Sequence, residues 1–112
     1  MGLNEALKAF SHPTRRAILV WLKDPDTAFA DETQLYDYQR YGVCASLIQR
    51  KAGLSQPATS LCLKSLQELG VVEATKVGIW TYYKRNESRI SDIMTALIDD
   101  LGVTLADDEP TR

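Results

Sequence analysis

The stretch LSQPATSLCLKSLQELG, Leu54 to Gly70, reads as a helix with a marked start and a marked end. Ser55 is a good first cap, because its hydroxyl oxygen can accept a backbone N–H that the opening turn leaves unsatisfied. Pro57 suits that turn, where its missing N–H is no loss. Thr59, Leu63, Leu66 and Gly70 recur at a 4-3-4 spacing that marks an inward face, and Gly70 ends the helix. Cys62, in the middle, admits three readings. It is a small packed hydrophobe, a redox-active thiol, or, with Leu61, an apolar contact to a thymine methyl.

Immediately upstream, VCASLIQRKAG (residues 43–53) places Val43, Leu47 and Ile48 on one helical face and closes on Gly53. Only GLS separates this helix from the next. Two helices joined by a short, glycine-containing turn, the second capped by serine, make a helix-turn-helix. Downstream, VVEATKVGIWTYYKR carries β-branched and aromatic residues on both sides of Gly78, the pattern of a two-stranded hairpin. Lys76 lies near its tip. A basic hairpin directly after a helix-turn-helix is a wing.

The flanks are helical too. Leu3, Leu7 and Phe10 form one stripe, and SHPTRRAILVWL follows with Ser11 as a cap, Pro13 in the first turn and Ala17, Ile18, Trp21 and Leu22 on one face. Pro25 ends that helix. The last helix carries Ile90, Ile93, Met94, Leu97, Ile98 and Leu101 and stops at Gly102. The fold expected is therefore mainly α with a β-hairpin wing, a winged helix-turn-helix with an extra helix at each end. Residues 1–104 form the domain, and residues 105–112 an acidic flexible tail. Residues 24–42 are harder to read. A connection this long is expected to be ordered or functional, and Tyr36, Tyr38 and Tyr41 either cover the core, form a ligand or partner surface, or stay mobile.

Charge supports a binding segment held by a scaffold. The chain's formal charge is −2, but residues 44–89 are net +4 between segments of −1 and −5. Ser55 and Gln56 are placed to meet phosphate, Gln56 and Ser60 to meet base edges, and Lys64 to meet phosphate, with Lys76 on the wing a further DNA contact. Thr59, although on the inward face, completes this DNA-binding set. No apolar run approaches the ~18 residues of a membrane span, and there is no signal-peptide pattern at the start. The protein is expected in the cytoplasm, where Cys44 and Cys62 are thiols. No catalytic triad, phosphate loop or cysteine–histidine pair points to an enzyme, and no cofactor is expected.

ALKAFSHPTRRAIL, GLSQPATSLCLKSLQELGVV and GIWTYYKR together resemble the three blocks of the ArsR/SmtB-type winged-helix repressors. The resemblance spans residues 3–22 and 43–100. It implies a homodimer on a palindromic double-stranded DNA operator, released by an inducer. It also implies that Leu3, Leu7, Phe10, Ile90, Ile93, Met94, Leu97, Ile98 and Leu101 are dimer interface. The sequence departs from the family at its sensing positions. The last helix has no histidine, Cys44 stands alone where arsenic sensors carry a cysteine cluster, and Cys62 replaces a usual histidine. No metal site is expected. His12 is expected to pack or cap. The inducer is left open as a small molecule or an oxidant. Two alternatives stand beside the repressor: a redox or electrophile switch using Cys44 and Cys62, and a winged helix that binds protein.

Overall fold

Residues 2–105 are described in the computed structural model. They run α1 (Leu3–Phe10), α2 (Pro13–Lys23), α3 (Pro25–Ala28), α4 (Tyr38–Tyr41), β1 (Val43–Cys44), α5 (Ala45–Ala52), α6 (Gln56–Leu69), β2 (Val72–Val77), β3 (Trp80–Arg85) and α7 (Glu87–Leu101). The turn between α5 and α6 is Gly53–Leu54–Ser55, with Gly53 in the left-handed region and Ser55 Oγ accepting the Ala58 N–H at 3.2 Å. The α6 inner face, Thr59, Cys62, Leu63, Leu66 and Leu69, is buried. It packs on α1, α2, α5 and β2. Ile18, Ile48, Leu66 and Tyr82 complete the centre. Each such aliphatic side chain contributes about 1.5–3 kcal/mol by leaving water.

The hairpin closes tightly. Val77 pairs with Trp80 across Gly78 and Ile79, and Val72 pairs with Arg85 at the other end. A third strand was not visible in the sequence. β1 pairs antiparallel with β3 through Val43–Tyr83 and Cys44–Tyr82, giving the order β1-β3-β2. Two residues are too short to show a period. What makes β1 is a long-range contact: the Gln34 side chain. Its Oε1 accepts the Cys44 N–H at 2.9 Å, and its Nε2 donates to the Tyr36 and Gly42 carbonyls at 2.6 and 2.8 Å.

That amide also organises residues 24–42. Pro25 ends α2 and begins the short α3, so the break expected there is at once a new start. Tyr36, Tyr41 and Tyr82 form an aromatic cluster with ring centroids 5.0–6.2 Å apart. Tyr38 lies against Phe29 at 6.3 Å, and Phe29 against Trp21 at 6.4 Å. All three tyrosines thus cover the core, the first of the readings left open.

Several expectations change at the flanks. Ser11 closes α1 instead of capping α2, its Oγ donating to the Lys8 carbonyl at 2.7 Å. The α2 cap position belongs to exposed His12, whose imidazole neither packs nor caps; only its carbonyl accepts from Arg15 and Arg16. In α1 the buried residues are Ala6 and Ala9, while Leu3 and Phe10 lean on the core and Leu7 is exposed. Ile93, expected at the dimer interface, is 4% exposed and belongs to the monomer core. A helix that packs on its own domain must spend one residue of each turn inward. The acidic tail expected over 105–112 lies, beyond Leu105, outside the described residues.

Gly42 joins α4 to β1 at φ +92°, and a Cβ there would meet the Tyr83 backbone oxygen at 2.2 Å. Gly42→Ala is expected to lower unfolding stability by about 2–4 kcal/mol, the scale of combined backbone strain and overpacking. Urea denaturation measures this, and a midpoint equal to wild type contradicts the close approach.

Candidate nucleic-acid interface

With the inner face of α6 consumed by the core, geometry alone decides what the outer face offers. Gln56, Ser60, Leu61, Lys64, Gln67 and Glu68 are exposed. Thr59 is not among them. It is 3% exposed, and its Oγ1 donates to the Ser55 carbonyl at 2.9 Å. Its expected contact with DNA therefore gives way to a role in packing and in tightening the first turn. Ser55 remains at the surface, but its hydroxyl is already occupied with the Ala58 N–H. Pro57 has no N–H to give. Of the opening turn's donors, the Ser55 and Gln56 N–H groups have no backbone partner among the described residues and are left for a phosphate.

A cleft of about 290 Å³ lies between this face and the wing, lined among others by Gln49, Gln56 and Ser60 on one side and Ile79, Trp80 and Thr81 on the other. The helix face and the wing tip therefore bound one concave surface. Leu61 is 66% exposed and Ile79 85% exposed, so this surface mixes amide and hydroxyl groups with bare hydrocarbon. The amides and hydroxyls suit base edges, and the hydrocarbon suits thymine methyls.

The structure revises the charge argument. Seven basic residues lie within 44–89, but most are committed elsewhere. Arg50 pairs with Glu32 at 2.6 Å, and the Lys51 ammonium sits 5.4 Å from the Trp21 ring centroid and 5.8 Å from that of Phe29. Lys84 donates to the Gln39 carbonyl at 2.8 Å. Arg85 donates to the Leu19 carbonyl at 3.0 Å and forks onto Glu87 at 2.8 Å. That fork, with Lys23 further off, holds the Glu87 carboxyl below its usual range. Arg89 Nε donates to the Leu69 carbonyl at 3.0 Å, closing the end of α6. Lys64 and Lys76 are the two of the seven without a partner among the described residues. Both are exposed, one on the helix and one on the wing. Both belong to the DNA-binding set expected from the sequence.

The thiols fall on the inside. Cys44 is 5% and Cys62 6% exposed, and both are free. Cys44 Sγ meets Ser46 Oγ at 3.3 Å. Cys62 lies in the hydrophobic core, which selects its packing reading and removes it from any contact with DNA. A thiol that answers oxidants needs access as well as ionisation; Cys62 lies in the core, and Cys44, though it borders two clefts, is only 5% exposed. Among the described residues, no three His, Cys, Asp or Glu side chains gather as metal ligands would.

Comparison with known proteins agrees with this architecture. The chain is 39% identical over 89 residues to the uncharacterized HTH-type transcriptional regulator YbzH of Bacillus subtilis, covering 80% of this chain and 88% of that protein. Its fold is similar to that of an ArsR-like transcriptional regulator from Rhodococcus sp. RHA1, with a TM-score of 0.60 at 22% identity over 89% of this chain and 78% of that one. The homodimeric winged helix-turn-helix DNA-binding domain Mb0332 from Mycobacterium bovis gives a TM-score of 0.56 at 19% identity, over 97% and 86% of the two chains. No protein-family model matches the chain.

Burial of both cysteines has a direct chemical consequence. Ellman's reagent should label the native protein at least about tenfold more slowly than the urea-unfolded chain, because reaction waits on opening. Rapid labelling of a Cys44→Ser or Cys62→Ser single-thiol protein identifies an accessible thiol and restores the redox alternative.

Proposed function

The chain belongs to the HTH-type transcriptional regulators, of the ArsR-like winged-helix kind, and on that premise we propose that it is a homodimeric repressor of a palindromic operator. The observation that carries the reading is the outer face of α6. Gln56, Ser60 and Lys64 stand bare on a helix whose opposite face is wholly buried, beside a wing that adds Lys76. A helix so presented enters the major groove, with side-chain amides and hydroxyls at base edges and the lysines on phosphate. Two copies set their reading helices one DNA turn apart and double the few charges each chain offers. The protein acts in the cytoplasm, and no helix among its described residues is long and apolar enough to cross a membrane.

The dimer face is what the ends of the chain leave uncovered. Leu7, Met94 and Leu101 are exposed, Leu97 and Ile98 partly so, and Val103 and Leu105 continue the exposed apolar run past Gly102. α1 and α7 pack side by side, so these residues lie on two adjoining helices. Leu3, Phe10 and Ile90 are half-buried against the core and border it. A second copy burying this patch has a hydrophobic driving force of about 25 cal/mol per Å². Release by an inducer follows from the family resemblance, and the burial of both cysteines favours an inducer other than an oxidant.

Mobility-shift titration against the DNA upstream of the protein's own operon tests operator binding. Specific retardation is expected at low salt, and none at all overturns the reading. Because two lysines per protomer face phosphate, log K should fall with log salt at a slope of about −3 to −4, and Lys64→Ala in both protomers should flatten it by about 2. Sedimentation tests the dimer. Leu101→Glu should yield monomers and weaken operator binding at least about tenfold, since each half-site is then held singly. A dimer that survives it places the interface elsewhere.

A further inference from the structure

A second cleft, of about 300 Å³, opens between the segment before α4, the start of α5 and strand β3. That volume lies at the lower end of small-molecule sites, about 300–1,000 Å³. Its lining divides by chemistry. Leu35, 78% exposed, and Trp80, 46% exposed, are large apolar groups of this lining left to water, one from the 24–42 segment and one from the wing. Cys44, Leu47 and Tyr82 are its buried residues. Ser46 adds a hydroxyl. Arg50 adds a guanidinium whose Nη1 is held by Glu32 at 2.6 Å, while Nε and Nη2 have no partner among the described residues. The Gln34 amide, also in the lining, is fully engaged with backbone and offers nothing to a ligand. The groups left for recognition are thus two apolar surfaces, the Thr33 and Ser46 hydroxyls and the Arg50 cation.

We propose that this cleft binds a small planar aromatic acid, its ring between Leu35 and Trp80 and its carboxylate on Arg50 and Ser46, and that this molecule is the inducer. An indole face and an alkyl side chain suit a flat ring. The planar fork of a guanidinium suits a carboxylate better than any neutral group does. The coupling to DNA follows from shared residues. Cys44, Ser46 and Trp80 line both this cleft and the one facing DNA. Trp80 begins β3 directly after the wing turn, and Cys44 joins the same sheet through Tyr82. A ring seated on Trp80 therefore bears on the wing. Ligand and operator then oppose each other, each weakening the other by the same factor. This second half of the proposal rests on the operator-binding reading; the binding of the acid does not.

The test uses the full-length protein and benzoate, with benzyl alcohol as its uncharged counterpart. The chain has two tryptophans, so emission of a Trp21→Phe protein reports Trp80 alone, and calorimetry on wild type gives the same constant without a substitution. Benzoate should bind saturably with a dissociation constant of about 1 mM or below, reasonable for so small a molecule in an open cleft. Benzyl alcohol should bind at least about tenfold more weakly. Leu35→Asp and Arg50→Gln, both at exposed positions, should each weaken benzoate at least about tenfold, and Arg50→Gln should leave benzyl alcohol unchanged. Saturating benzoate should then weaken operator binding about tenfold, with DNA weakening benzoate equally. Absence of saturable binding by calorimetry, or binding that ignores both substitutions, overturns the site. Equal affinity for the two probes overturns the acid. Binding without any effect on a functioning operator complex overturns the inducer role, whereas a protein that binds benzoate and no operator keeps the site and loses the repressor.

Discussion

The inward face of α6 is the constraint on which the other arrangements depend. Thr59, Cys62, Leu63, Leu66 and Leu69 are buried against α1, α2, α5 and β2 together, so one helix serves as the core's central post. Rotating it by a single residue, about 100°, would drive Ser60 or Lys64 into hydrocarbon. The cost of burying an unpartnered ammonium exceeds what a small domain has to spare. The outer face, proposed above to read DNA, is thus held in orientation by the same contacts that hold the fold together. On that reading, substitutions there trade specificity, while substitutions one position away trade stability.

Elements with long-range periodicity and local punctuation were legible from the chain. Ser55, Pro57, Gly53 and Gly70 mark the helix-turn-helix, and Gly78 marks the hairpin, because caps and tight turns are decided by residues within a few positions of each other. What escaped was non-local. β1 is two residues long and exists through pairing with β3 and through Gln34, ten positions away from Cys44 in the chain. The order in residues 24–42 comes from ring contacts with Tyr82 and Phe29, which no spacing rule contains. The inward faces of α1 and α7 were misjudged for a related reason. Ala6 and Ala9 approach the core closely because they are small, and a count of large apolar residues overlooks them.

The candidate site shows how misleading a charge sum can be. The +4 segment looked like an electrostatic footprint, yet its arginines fasten the structure: Arg85 to α2 and Glu87, Arg89 to the end of α6, Arg50 to Glu32 in the 24–42 connection. Guanidinium forks satisfy backbone carbonyls and carboxylates that packing would otherwise strand. The ammonium groups of Lys64 and Lys76 are left over from that work. On the proposed operator reading, recognition then depends more on fit than on charge, with Leu61 and Ile79 offering exposed apolar area.

The Arg85–Glu87 fork has a mechanical consequence. It sits where β3 turns into α7, and Arg85 also reaches the Leu19 carbonyl. The root of the wing and the root of the last helix are therefore clamped to one another and to α2. With 15 residues in α7, the helix is a rod about 22 Å long at 1.5 Å per residue. A small tilt of that rod turns through the clamp into a displacement of the hairpin. In the homodimer proposed above, the span between two wings is then geared to the crossing angle of two helices.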